Sequence, residues 1–230
     1  MLAAILAGGF GKRLKPYTDE IPKSLIEICG KPILEWQINW LKKHGFNEIV
    51  LLIGYKKEKI IDYFGSGCKY GVKITYVIED EPLGTGGAVK NAEHILSKVD
   101  FFLLINGDIL TDLNPLKLVE KLSEKYLGVI AAVPLPSPYG VLDLENSRIK
   151  GFIEKPQIRG YWINAGVYVL KSEALKYFPE KGDLERTGFP EMARRGLLGA
   201  VKYEDVFWKS IDTFKDIEEA SRILSERIEK

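Results

Sequence analysis

Along the first 135 or so residues the apolar positions follow two alternating rhythms. Met1–Leu6, Ile49–Ile53 and Phe101–Ile105 are short apolar runs, the pattern of strands covered on both faces. Val72, Ile74, Tyr76 and Ile78 alternate with other residues at the period of a strand. Between these runs, Ile33, Leu34, Ile38 and Leu41 fall at helical spacing and predict a helix over 33–43 that stops before His44-Gly45. Ile60, Ile61 and Phe64 predict a shorter helix ending at Gly65. Thr85 opens a further one running to about Lys98, Leu116–Leu122 reads as another, and Val129–Val133 closes the series as a strand.

Strands alternating with helices imply parallel pairing through right-handed crossovers. The expected fold class is therefore α/β, an open, doubly wound and mostly parallel sheet. After about Ser137 the rhythm changes. Ile149–Ile153 and Trp162–Leu170 are strand-like with short connections, so the C-terminal half is expected to be mixed and partly antiparallel, ending in an amphipathic helix from about Lys215 to Ile228. One domain over 1–230 is expected, with halves 1–136 and 137–230 walling a cleft. Ligands of such sheets bind beyond the carboxyl ends of the strands. That rule selects three loops: Gly8–Lys23, Glu79–Gly87 and Asn106–Asp112.

Charge narrows the class of ligand. The chain holds 33 Lys and Arg against 32 Asp and Glu, a net charge of +1, without the basic excess of a nucleic-acid or membrane-surface protein. Any phosphate must be met by a local cluster. Two cysteines, Cys29 and Cys68, do not make a disulfide framework and point to a reducing compartment. The apolar start has no basic flank and breaks at Gly8-Gly9, unlike a signal peptide, and no run nears the ~20 apolar residues that span a bilayer. A cytoplasmic protein is expected.

The first loop supplies the cluster. In Leu6-Ala-Gly-Gly-Phe-Gly-Lys-Arg-Leu-Lys-Pro-Tyr-Thr, the residues Gly8, Gly9 and Gly11 let the backbone turn sharply and bring bare N–H groups close to an anion. Lys12, Arg13, Lys15 and Lys23 gather positive charge beside it, as a triphosphate with Mg²⁺ requires. The spacing is neither that of a Walker A loop nor that of a dinucleotide fingerprint.

The pattern L-A-G-G-x-G-x-R-L-x-P-x-T, followed by Pro22-Lys23, resembles the signature of the sugar-1-phosphate nucleotidyltransferases, the NDP-sugar pyrophosphorylases, and is similar above all to the guanylyltransferases of mannose 1-phosphate and heptose 1-phosphate. The resemblance runs from Met1 to about Asp216. It implies a nucleotide-binding half over 1–136 and a sugar-binding half over 137–230. It also implies that Arg13 holds the β,γ-phosphates, that Lys23 meets the α-phosphate region, and that Leu6, Gly8, Gly9 and Gly11 line the nucleotide. The reaction implied is transfer of a nucleoside monophosphate from a nucleoside triphosphate to a sugar 1-phosphate, with release of pyrophosphate. The left-handed β-helix of longer relatives is not expected, because no hexapeptide repeats follow.

Phe101–Ile105 runs into Asn106-Gly107-Asp108, and an Asp there projects into the cleft. Mg²⁺ needs only one or two protein carboxylates besides phosphates and water. Asp108 resembles the family's first metal ligand, and Asp112 is expected to cap the next helix. The family's second ligand stands in Trp-x-Asp-Ile-Gly, but the text here is Trp208-Lys209-Ser210-Ile211-Asp212-Thr213, with Ser210 at the Asp position. Cytidylyl-transferring branches show a similar Trp-x-x-x-Asp-Thr form. The expected second ligand is Asp212, with Asp216 as the fallback.

Pro82-Leu83-Gly84-Thr85 resembles the family's base-recognition loop, which makes Glu79, Gly84 and Thr85 nucleotide-binding candidates. A carboxylate at Glu79 can accept two N–H bonds, which suits guanine and hence GTP; uridylyl- and thymidylyl-transferring members often carry Gln near this position. Glu154-Lys155-Pro156 resembles the family's Glu-Lys-Pro motif. It implies that Lys155 binds the sugar phosphate and Glu154 the sugar hydroxyls, with Gly140 and Asn164 beside them. Partners are then a nucleoside triphosphate and a sugar 1-phosphate, on a monomer or small homo-oligomer. Two other readings stay open: a uridylyl-, thymidylyl- or cytidylyltransferase for another sugar 1-phosphate, and a non-catalytic regulator that binds nucleotide-sugars.

Overall fold

A computed structural model describes residues 1–228, with the backbone alone for Arg159, Arg227 and Ile228. The first apolar run forms β1 (Leu2–Leu6), after which the glycine loop leads to α1 (Tyr17–Glu20) and a small hairpin of β2 (Glu27–Ile28) and β3 (Lys31–Pro32). The helical spacing at 33–43 is met by α2 (Ile33–Lys43), whose residues 33, 34, 38 and 41 are all buried. The chain continues through β4 (Glu48–Ile53), α3 (Lys57–Phe64) and β5 (Lys73–Ile78). Next come α4 (Gly84–Asn91), α5 (Glu93–Leu96), β6 (Phe101–Asn106), β7 (Ile109–Thr111) and α6 (Leu116–Lys121). The remainder is β8 (Gly128–Pro136), β9 (Val141–Glu145), β10 (Arg148–Ile153), β11 (Gln157–Lys171), α7 (Gly188–Arg194), β12 (Leu198–Lys202), β13 (Trp208–Ser210) and α8 (Phe214–Ile228).

Seven of these strands build the main sheet, in the order β12-β8-β11-β6-β1-β4-β5. β1 pairs parallel with both β4 and β6, β4 with β5, and β12 with β8. β11 alone runs against its neighbours β6 and β8. The α/β, mostly parallel architecture with a mixed C-terminal half is thus as the patterning predicts. One apolar layer, including Ile5, Leu51, Ile105 and Leu41, fills one face, and another, including Ala4, Leu104, Tyr168 and Leu96, fills the other. Both faces are covered, which is why the central strands read as unbroken apolar runs. From β1 the chain adds β4 and β5 on one side and then crosses back to place β6 on the other, so the strand order reverses between β1 and β6. Their carboxyl ends are where such a sheet opens a crevice.

The structure departs from the patterning in places. The helix expected from Thr85 to Lys98 is divided at Ala92, where the N–H bonds the carbonyl of Val89, three residues back, and the turn tightens. No Gly or Pro marks that break. Asp112 Oδ1 accepts from the N–H of Phe207, and the first turn of α6 is capped by Asn114, whose Oδ1 accepts from Leu116 N. No helix among the described residues is long and apolar enough to cross a membrane.

Candidate active site

The crevice at the β1–β6 switch point is a cleft of about 410 Å³, and its walls include Gly8, Gly9, Gly11, Arg13, Lys23, Glu79, Gly84, Thr85, Asp108 and Asp212. Leu6 lines it as well, so every residue expected to touch the nucleotide or the metal faces one space.

The glycine loop is shaped by close approach. Gly11 adopts φ +60°, and a Cβ there would stand 2.8 Å from Thr18 Cγ2 and 3.0 Å from Lys23 Cβ. Thr18, buried, returns a hydrogen bond from its hydroxyl to Gly11 O (3.1 Å). Leu14, wholly buried, then pins the loop against Ile28, Ile211 and Ala220. Burial of a side chain of that size contributes about 2 kcal/mol. That anchorage also brings Arg13 to the segment carrying Asp212.

At the cleft floor two carboxylates and two cations converge. Lys23 Nζ lies 2.9 Å from Asp108 Oδ2 and 3.0 Å from Asp212 Oδ1, and Arg13 Nη2 lies 2.7 Å from the same Asp212 oxygen. Lys23 is largely enclosed, whereas Arg13 reaches outward with 71% of its side chain exposed. The two aspartates stand 104 residues apart in sequence, and a small ladder sets their register. β13 pairs antiparallel with β7, Ser210 opposite Ile109, and the next N–H, of Ile211, donates to Asp108 O (2.9 Å). Ser210 Oγ donates to Asp212 Oδ2 (2.8 Å), so the residue at the family's Asp position supports the carboxylate two places on. Burial raises the Asp212 pKa, but the Lys23 ammonium, the Ser210 hydroxyl and Arg13 together hold it below its ordinary value. Asp216 is engaged elsewhere, capping α8 through Thr213 and pairing with Lys209.

The donors at this point are carboxylate oxygens alone, and no group of three or more His, Cys, Asp or Glu is assembled among the described residues. Two converging carboxylates, already holding a cation between them, fit a hard divalent ion that takes its other ligands from phosphate and water.

Glu79, at the end of β5, packs so closely on Gly8 that a Cβ there would meet its Oε1 at 2.5 Å. Its other oxygen accepts weakly from Leu83 N (3.3 Å). Burial raises its pKa, and the Leu83 hydrogen bond does not compensate. A raised carboxyl destabilises the fold where it is charged, above its folded pKa, and the cost vanishes below its unfolded value. Glu79→Gln is therefore expected to raise the denaturation midpoint at pH 8 and to leave it unchanged at pH 4. Equal gains at both pH values would refute this.

The opposite wall is a turn that patterning did not single out. Gly182 O accepts from Gly86 N (2.8 Å), Leu184 N donates to Thr85 Oγ1 (2.9 Å), and Thr85 Oγ1 donates to Glu185 Oε2 (2.8 Å). Asp183 of this turn also lines the cleft. Its contribution depends on a contact about 100 residues away, which no local spacing encodes.

A second cleft, of about 430 Å³, meets the first at Arg13 and Asp212 and is lined also by Gln157, Trp208 and Lys209. Neither cleft wall includes the four sugar candidates. Gly140, Glu154 and Lys155 sit at the root of the β9–β10 hairpin, Lys155 two residues before Gln157, where Glu154 and Lys155 pair at 3.6 Å. Asn164, on β11, donates to the Tyr168 hydroxyl (2.8 Å), which in turn reaches Glu185 (3.4 Å). These four do not form one pocket: three stand together at the hairpin root, and Asn164 is tied through Tyr168 to Glu185 beside the first cleft.

Known proteins resemble this chain in sequence and in fold. Mannose-1-phosphate guanyltransferase 2 of Candida glabrata is 37% identical over 94% of this chain, and mannose-1-phosphate guanyltransferase of Yarrowia lipolytica is 36% identical over the same share. The chain spans 62% of the length of each. Among solved structures, HddC from Yersinia pseudotuberculosis is 31% identical, with a TM-score of 0.78 over 97% of this chain and 99% of that one. HddC has also been solved complexed with GMP-PN, and that structure matches with a TM-score of 0.77. The family model described as Nucleotidyl transferase matches residues 2–227. A match of that extent takes in the glycine loop, both aspartates and every strand of the sheet, and the chain belongs to the nucleotidyl transferase family.

Proposed function

We propose that this protein transfers a nucleoside monophosphate from a nucleoside triphosphate, GTP in the first instance, to a sugar 1-phosphate of mannose or heptose type, releasing pyrophosphate. The observation that carries the proposal is the convergence of Arg13, Lys23, Asp108 and Asp212 at the floor of the glycine-loop cleft. The names of the guanyltransferase relatives, and the GMP-PN complex of HddC, support the choice of base and sugar. Glu79 supports guanine, since its carboxylate faces the same cleft and can accept two N–H bonds.

Asp108 and Asp212 would hold Mg²⁺, which when bound neutralises phosphate charge and polarises the α-phosphoryl group. Lys23 would meet an α-phosphate oxygen and Arg13 the β,γ-phosphates, both cations standing beside the two carboxylates. Backbone N–H groups of Gly8, Gly9 and Gly11 face the same anion, while Leu6, Gly84 and Thr85 flank the base. The attacking phosphate oxyanion is already a nucleophile, so the protein's task is to position two anions in line and offset their repulsion. The sugar 1-phosphate would enter by the adjoining cleft, with Arg13 at the seam; Lys155 would reach its phosphate, and Glu154, Gly140 and Asn164 its hydroxyls, only by moving in from outside the walls of that cleft. The half 1–136 then supplies most of the nucleotide cleft and 137–230 the sugar side, with Asp183 and Asp212 crossing to the first cleft and Arg13 reaching the second. The two free cysteines, one of them exposed, support a reducing, cytoplasmic setting.

The test is pyrophosphate release with Mg²⁺, scanning GTP, CTP, UTP, dTTP and ATP against mannose, heptose, glucose, glucosamine and N-acetylglucosamine 1-phosphates. Turnover restricted to GTP with mannose or heptose 1-phosphate is the expected result. A preference for another triphosphate would discard the Glu79 assignment, and silence with every pair would leave a nucleotide-binding protein without catalysis.

A further inference from the structure

We propose that Gln37 is a positioning residue for Asp108, a latch whose side-chain amide fixes the turn that aims the carboxylate into the cleft. The proposal rests on the reading of Asp108 as a metal-holding carboxylate. Gln37 lies on the buried face of α2 among Ile33, Leu34, Ile38 and Leu41 and is only 2% exposed. An apolar residue would fill that place without the cost of burying an amide. The amide is there with its donor end fully used: Nε2 donates to Asn106 O (2.8 Å) and to Ile109 O (2.9 Å). Those two carbonyls bracket Gly107 and Asp108.

The orientation of the amide follows from its partners. Both are carbonyl oxygens, which only the NH₂ end can satisfy. Oε1 is left buried without a hydrogen-bond partner. A buried orphan acceptor is uncommon and calls for a reason. Here the reason is that the side chain is retained for its two donors. On the far side of the turn, Gly107 N bonds Leu6 O (3.0 Å), so the turn is gripped between β1 and α2. One turn further along α2, Trp40 Nε1 donates to Leu113 O (3.0 Å) and extends the grip. Asp108 itself makes its side-chain contact with Lys23, and its aim depends on this frame.

Mutation of groups that orient metal ligands typically costs 10–100-fold in metal affinity or activity. The test uses Gln37→Met, which keeps the length and loses both donors, with Mn²⁺ as the probe ion and a non-hydrolysable GTP analogue present. Mn²⁺ affinity by titration calorimetry is expected to fall about 10-fold or more. At saturating metal, kcat is expected to fall while KM for both substrates stays within about twofold. In an Asp108→Asn background, Gln37→Met is expected to cost no further Mn²⁺ affinity, which a general loosening of the fold would not reproduce. Should Gln37→Met not fold, Gln37→Asn, whose amide falls short of the two carbonyls, takes its place with the same expectation. Unchanged Mn²⁺ affinity in the folded variant, with Asp108→Asn weakened, would overturn the proposal. Unchanged affinity in Asp108→Asn itself would instead overturn the metal reading on which it rests.

Discussion

Asp108→Asn will lower pyrophosphate release by about 10³-fold, on the measure of several kcal/mol of charge stabilisation from a bound metal ion. The amide keeps the size of the side chain and the packing of the turn but removes one of the two charged oxygens that meet at Lys23. Folding should be nearly untouched. Lys23 retains Asp212 at 3.0 Å, and a partly exposed ion pair contributes at most about 1 kcal/mol. Steady-state kinetics at saturating Mg²⁺, with a denaturation curve alongside, would separate the two effects. A kcat within tenfold of the parent protein would remove Asp108 from the reacting centre.

Gly107→Ala should show the opposite balance, a loss of stability of about 3 kcal/mol. Gly107 follows β6 and donates to Leu6 O at 3.0 Å, and a Cβ would be driven into that carbonyl and against Ala7 Cα. The obstacle is backbone of the central strand, which cannot swing aside as a side chain could. The end of the β1–β6 ladder must therefore open. Gly9→Ala is the control, because a Cβ at Gly9 meets nothing within 4 Å. Its cost should stay within about 0.5 kcal/mol. Urea denaturation of the pair measures the contrast, and equal midpoints would show that the turn relaxes at no cost.

Much of this molecule is legible along the chain because much of it is made locally. α2 begins and ends where the apolar spacing and His44-Gly45 place it, and the runs at Ile49–Ile53 and Phe101–Ile105 are buried strands. The glycine loop is legible for the same reason, since turn geometry and charge are written in consecutive residues. What was not legible depends on distant pairing. β12 is only five residues long and joins the sheet through β8, some seventy positions earlier. β13 has three residues and no meaning without β7. α7 follows the irregular stretch before it and carries little periodic signal. The break at Ala92, a wholly buried residue, has no mark in the local sequence. Asp212 could be named from the chain only as a choice between neighbours. Its placement against Lys23 and Arg13 depends on a ladder that forms once both segments are folded.

That ladder has a consequence for how the protein is made. The glycine loop and Asp108 are synthesised early, and four parallel strands can pair around them. Asp212 follows more than a hundred residues later, and β13 must dock on β7 before the second carboxylate has a place. A chain still emerging from the ribosome therefore carries the glycine loop and its cations long before it can assemble the paired carboxylates beside them. The pair of carboxylates at Lys23 is thus completed only when β13 docks on β7, however early the first of them is in place.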